Sequence, residues 1–167
     1  MNGLLERLDR TGRALENASL VILLGALIAL AATQIVMRNV FDSGLAWADE
    51  LLRILVLWVA MLGAVAASRD RHHITIDILS RVLPGRLRLA AEALVDLFTC
   101  AIAALLAWHS ARFVAETYAY GDRIIGNLPA WAFQAILPVA FGLIAWRYLV
   151  LSLARIRDLA VSAPGPE

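Results

Sequence analysis

Cysteine occurs once in the 167 residues, so Cys100 has no partner for a disulfide within the chain; inside an apolar run it reads as a small buried side chain. Lysine is missing altogether, and all 15 basic residues are arginine. No glycine-rich phosphate loop, nucleophile triad, metalloprotease pattern or internal repeat occurs, which leaves no basis for an enzyme. The three histidines are excluded as haem or metal ligands by position. His72 and His73 stand before the third apolar run and His109 about 30 Å along its helix, whereas paired axial ligands must face each other at one depth. The His72-His73 pair has neither a nearby cysteine nor a histidine four residues away, so no metal and no cofactor is expected. Nor is a nucleic-acid partner.

What the chain has in excess is apolar surface. Its hydrophobic content is 61% and its mean hydropathy +0.73, against roughly 45–50% apolar residues in an average soluble chain. A spanning helix needs about 20 such residues, and four segments qualify: about 18–37, 47–68, 89–111 and 128–149. The expected fold is an all-α integral membrane protein, with four transmembrane helices in a single domain over 1–167 and no length left for an aqueous domain. The first span imitates a secretory signal through Ala29-Leu30-Ala31, but its apolar run continues to Met37, so a retained helix is expected.

Arginine positions set the orientation, because cytoplasmic flanks retain basic residues while acids matter little. Arg7, Arg10, Arg13, Arg69, Arg71, Arg81, Arg86, Arg88, Arg147, Arg155 and Arg157 fall on one side, and only Arg38, Arg53, Arg112 and Arg123 on the other. Both termini are therefore expected in the cytoplasm. Trp47, Trp108 and Trp131 then fall at the outer boundary and Trp146 at the inner one, where amphipathic rings prefer to sit; Trp58 lies deeper, as a packing residue.

Two short amphipathic helices are expected in the interface between headgroups and chains. Leu4, Leu8 and Leu15 oppose Arg7, Arg10 and Arg13 in the first; Ile74, Ile78, Leu79, Val82 and Leu83 oppose Asp77, Ser80 and Arg81 in the second, before the Pro84-Gly85 break. Rows of small residues offer close helix approach: Gly25, Ala29 and Thr33; Ala60 with Ala64 and Gly63 with Ala67; Ala103, Ala107 and Ala111. In the fourth span Asn127 is placed to cap the start, Pro129 suits the first turn and Pro138 should kink the middle.

The remaining polar residues carry the functional question, since ionisable groups at a membrane boundary usually face protein, water or a partner. Asp49 and Glu50 lie four and three residues before Arg53, which can pair with either, and the helix start favours both acids. The cluster is either an interfacial cap with a local ion pair or a contact with a partner subunit; a proton relay lacks ionisable residues to continue it. In the series Arg88, Glu92, Asp96, Arg88 can serve Glu92, which leaves Asp96 needing an arginine, a hydroxyl or water from elsewhere, or an ion.

The order Trp47-Ala48-Asp49-Glu50-Leu51-Leu52-Arg53, then Trp58, Gly63-Ala64, Arg69, His73-Ile74, Ile76-Asp77 and Pro84, resembles the DctQ family, the small membrane subunits of tripartite ATP-independent periplasmic (TRAP) transporters. Gly126, Leu128-Pro129, Trp131, Pro138, Phe141-Gly142 and Arg147 are similar to that family's fourth-helix region, and the resemblance extends to about Arg155. It implies a multi-pass subunit of the bacterial inner membrane that scaffolds a large permease subunit (DctM-like), which carries an organic acid with sodium ions. A periplasmic substrate-binding protein (DctP-like) delivers the cargo, and membrane lipids surround the assembly. The family-type positions are Trp47, Glu50, Arg53, Trp58, Gly63, His73 and Asp77, with structural and partner-contact roles and no catalysis. The alternative is a stand-alone four-helix exporter, which needs an acid in an early span; the first span offers only Gln34 as a strongly polar side chain.

Overall fold

The structure is a computed structural model that describes residues 2–69 and 85–161. The sequence places His73, Asp77 and the second amphipathic stripe outside the described residues. In chain order the elements are α1 (Asn2–Phe41), α2 (Ala46–Arg69), α3 (Gly85–Tyr120), β1 (Arg123–Ile124), β2 (Leu128–Pro129), α4 (Ala130–Gln134) and α5 (Ile136–Val161).

Among the described residues, four stretches are long and apolar enough to cross a membrane: Glu16–Phe41, Trp47–Arg69, Leu87–Tyr120 and Ala130–Leu159. At most 22% of the most apolar part of any of them is buried within the chain, so lipid or other protein must cover the rest. The 40 residues of α1 run as one uninterrupted helix, so the N-terminal segment expected as a separate interfacial helix is continuous with the first span.

Helix ends follow chain-breaking chemistry and overrun the polarity boundaries expected from sequence. The 36-residue α3 continues through His109, Arg112 and Glu116, about 54 Å in all. It stops at Gly121, whose φ of +69° is open to glycine without steric cost. There the Gly121 amide bonds the Tyr118 carbonyl at 3.2 Å and the Asp122 amide bonds the Thr117 carbonyl at 3.4 Å, the paired bonds of a Schellman end. α1 ends similarly at Asp42, with φ +48°, a conformation that aspartate tolerates better than most side chains.

The fourth span is divided at Ala135 between α4 and α5. Pro138 has no amide to offer the Gln134 carbonyl and its ring crowds that group, which accounts for the position of the interruption. Pro129 takes the capping position before α4 with extended backbone (φ −70°, ψ 123°), rather than the first helical turn.

The described residues fall into two compact units. One takes in Met1–Ala66 with Val114–Ile136, the other Ala67–Phe113 with Leu137–Glu167. The buried residues of the first include Gln34, Ala48, Met61, Val65, Thr117 and Ala130; those of the second include Ala93, Asp96, Ala103, Ala140, Tyr148 and Ser152. Of the small-residue rows read from sequence only Ala103 is buried, while Gly25, Ala29, Thr33, Ala60, Ala64 and Ala67 are exposed.

Candidate functional site

In the first unit, polar side chains at the helix ends grip backbone. Gln34, buried in the last third of α1, donates from Nε2 to the Leu45 carbonyl at 3.3 Å and accepts the Leu45 amide on Oε1 at 3.2 Å. One side chain thus satisfies both polar groups of a residue in the α1–α2 connection, with a long bond to Asp49 Oδ1 at 3.5 Å in addition. Gly44 lies against the same amide, since a Cβ there would sit 3.4 Å from Gln34 Nε2.

Glu50, just past the first turn of α2, reaches a more distant target. Its Oε2 accepts the backbone amide of Ile125 at 2.6 Å. Ile125 is the first residue of the tip joining β1 to β2, antiparallel strands with Arg123 opposite Pro129 and Ile124 opposite Leu128. Its φ is +49°, a region that β-branched side chains rarely adopt, and Gly126 follows at φ +79°. The Asn127 amide returns to the Ile125 carbonyl at 3.0 Å, closing a γ-turn around Gly126. A non-glycine residue held in this region costs about 1–3 kcal/mol, and a hydrogen bond to a charged group contributes about 1.5–3 kcal/mol. Because this bond is exposed to solvent its contribution falls toward the lower end of that range, of the same order as the strain it opposes.

The rest of the hairpin is bound locally. The Ala130 amide bonds the Asp122 carbonyl at 3.0 Å, and Arg123 Nη1 donates to Asn127 Oδ1 at 2.5 Å. Asn127 therefore braces Arg123 instead of capping the fourth span. Tyr118 and Trp131 stack edge to face, centroids 5.7 Å apart, and with Asp122, Arg123, Asn127 and Pro129 they line a cleft of about 360 Å³.

Beneath the tip, a second cleft of about 300 Å³ is lined by Glu50, Arg53, Ile54, Leu57, Ile124, Phe133 and Gln134. Arg53 is exposed, and among the described residues no ion pair joins it to Asp49 or Glu50. The local pair expected from spacing is replaced because Glu50 is drawn to the Ile125 amide. Trp58 is more than a packing residue: its Nε1 donates to the Phe133 carbonyl at 3.0 Å, fixing α4 one turn before Pro138.

The second unit is held by side chains gripping one another. Arg155 of α5 binds Asp96 and also lies 3.4 Å from Glu92 Oε2, while Arg88 bonds Glu92 Oε1 at 2.9 Å. The arginine that Asp96 requires is thus supplied from within the chain, 59 residues away in sequence. Arg147 reaches Ser68 at 3.1 Å, and the half-buried Cys100 donates from its thiol to the Ala145 carbonyl at 3.3 Å.

Of the seven sequence-derived positions, Glu50 and Arg53 share one cleft, and Trp58 bonds Phe133 of the same cleft. Trp47 is 45% exposed and stands apart from it. Gly63 is half-buried in α2 with open space where a Cβ would be. Sequence reasoning missed the clasp made by Gln34, although a lone amide in a charge-free span signalled that it must find a partner.

Four apolar helices with most of their surface left to a non-aqueous environment define a multi-pass protein of the bacterial inner membrane. Residues 5–158 match the family described as Tripartite ATP-independent periplasmic transporters, DctQ component, and the chain belongs to that family of transport proteins. It is similar to the sialic acid TRAP transporter permease protein SiaT of Haemophilus influenzae, at 32% identity over 124 residues, covering 74% of this chain and 20% of SiaT. A second relative is the isethionate TRAP transporter permease protein DctMQ of Oleidesulfovibrio alaskensis, 30% identical over 104 residues, covering 62% of this chain and 16% of that protein. The C4-dicarboxylate TRAP transporter small permease protein DctQ of Vibrio cholerae is 24% identical over 164 residues, with 83% of this chain and 70% of the relative covered. The chain therefore spans a fifth or less of the first two relatives and most of the third.

Proposed function

We propose that this chain is the small membrane subunit of a TRAP transporter and serves as a static scaffold for a large permease subunit during ion-coupled uptake of an organic acid. The observation that carries the scaffold role is the state of its acids. Asp96 and Glu92, which lie within the third span, are bound by Arg155 and Arg88, and Glu50 is bound to backbone. With Asp96 and Glu92 engaged by arginines, neither is free to couple a cation, which supports a route for cargo and ion through another polypeptide. The match to a small fraction of SiaT and DctMQ supports the same view, because those permeases carry much more chain than this one supplies. Their names suggest a small organic acid such as a sialic acid, a C4-dicarboxylate or isethionate as cargo; sodium as the coupling ion is what the family resemblance implies.

The arginine distribution supports cytoplasmic termini, which put the 42–45 connection and the 121–129 hairpin on the periplasmic side. There Asp42, Asp122 and Arg123 are exposed and suited to meet a substrate-binding protein. Trp47, Glu50, Arg53, Trp58, Gly63, His73 and Asp77 take structural or partner-contact roles in this scheme. The exporter alternative is disfavoured because Gln34, the polar side chain of the first span, is committed to Leu45.

The test is uptake of these acids by proteoliposomes that contain the large subunit, the binding protein and a sodium gradient, with and without this chain. Uptake should require the chain, and replacing Asp42, Asp122 and Arg123 together should weaken stimulation by the binding protein. Undiminished uptake without the chain, or flux through the chain alone, overturns the proposal.

A further inference from the structure

We infer that Glu50 is a positioning residue: its carboxylate holds the 123–129 hairpin in a strained conformation, and this fixed hairpin is the surface on which the periplasmic substrate-binding protein seats. The inference rests on the scaffold reading above and on the sidedness it assigns.

The hairpin is built in a form its own sequence does not favour. Ile125 sits at φ +49°, where glycine or asparagine would be at ease and isoleucine is not. Strain of this kind persists where surrounding contacts over-determine it, and such places are commonly functional. The contact that does so here comes from a separate helix: Glu50 Oε2 takes the Ile125 amide at 2.6 Å across 75 residues of sequence. A turn needed only to connect two helices could have been relaxed by placing a glycine at position 125 as well as 126. What the strained form provides is a fixed outward edge, with Arg123 braced on Asn127 and a polar cleft between Asp122, Tyr118 and Trp131. An edge carrying both charge signs and two aromatic rings suits a water-soluble protein partner rather than acyl chains. Holding it rigid lowers the ordering cost each time the partner docks and leaves. Glu50 therefore acts on this chain's own backbone.

The experiment compares Glu50→Ala, Glu50→Gln and the double variant Glu50→Ala with Ile125→Gly in proteoliposomes that hold the large subunit, with binding protein added in increasing amounts. Glu50→Ala should raise the binding-protein concentration at half-maximal uptake about tenfold, the loss of one charge-assisted bond, with the maximal rate retained. Glu50→Gln keeps an acceptor and should raise it about threefold. Adding Ile125→Gly, which enters the left-handed region freely, should recover most of the loss caused by Glu50→Ala. Trypsin cleavage after Arg123, read by mass on the full chain in detergent, should accelerate about tenfold in Glu50→Ala and slow again in the double variant.

A Glu50→Ala chain with normal half-saturation and normal cleavage overturns the clamp, as does a fall in maximal rate that Ile125→Gly leaves untouched. Where Glu50→Ala fails to assemble with the large subunit, the cleavage rate alone decides. Failure of the scaffold reading is seen separately, as uptake indifferent to the unmodified chain.

Discussion

The two units of this protein use polar side chains in opposite ways. In the first, Gln34, Glu50 and Trp58 each bond to backbone: the Leu45 amide and carbonyl, the Ile125 amide and the Phe133 carbonyl. In the second, Arg155, Glu92, Asp96 and Arg88 bond mainly to one another, and Arg147 reaches the Ser68 hydroxyl. A side chain that holds backbone fixes the shape of a connection, because the atoms it restrains are those that define φ and ψ. An ion pair between two helices fixes their spacing and leaves connections alone. The first unit thus has shaped connections, and the second has helices held at a set spacing.

The largest effect expected from breaking this contrast lies in the second unit. Arg155→Leu removes the arginine bound to Asp96, which is 6% exposed, and leaves Glu92 with Arg88. Breaking a buried ion pair from one side costs about 3 kcal/mol. Thermal unfolding of the purified chain in detergent should show it as a clear drop in Tm, with Arg155→Lys intermediate because its ammonium cannot reach both acids in one plane. A variant as stable as the parent would mean that the ion network does not hold α3 to α5.

Next in size is Gln34→Leu. Its two bonds to Leu45 are neutral, and losing both leaves the part-buried Leu45 amide without its acceptor while the carbonyl keeps the Ala48 amide at 3.0 Å, a cost of about 2 kcal/mol. The sharper readout is local. Amide exchange at Leu45 should rise far more than exchange along α3, whereas Arg155→Leu should loosen α3 and spare Leu45. Equal loosening at both places would erase the distinction between the units.

The same distinction separates what was legible in the sequence from what was not. The spans were readable because apolar length is counted along the chain, and the second agrees with 47–68 to within one residue. The third apolar run ends near 111, whereas α3 continues to Tyr120, because a helix stops where its carbonyls find new donors, here at Gly121. In the site, Asp96 could be seen to lack a cation, but pairing with a residue 59 positions away is a property of packing. The Glu50–Arg53 spacing suggested a local ion pair, and the structure sends Glu50 to the Ile125 amide instead. No sequence period reports a strained turn, since Ile125 carries no mark of positive φ until the backbone around it is known.

Gly63 yields the smallest effect on the chain and the most discriminating one for the assembly. It lies in α2, and a Cβ added there would meet nothing within 4 Å, so this chain does not itself need the glycine. Gly63→Ala should raise helix stability, by up to about 1 kcal/mol, because alanine loses less backbone freedom on folding. Small residues in membrane helices let a neighbouring backbone approach closely, and with no neighbour to a Cβ among the described residues we assign that backbone to the large subunit. The expected pattern is therefore an unchanged or slightly higher Tm for the chain alone, together with about tenfold weaker association with the large subunit when the two are titrated in detergent. Weaker association that follows a fall in Tm would instead mean that Gly63 serves the fold, and unchanged association would remove it from the interface.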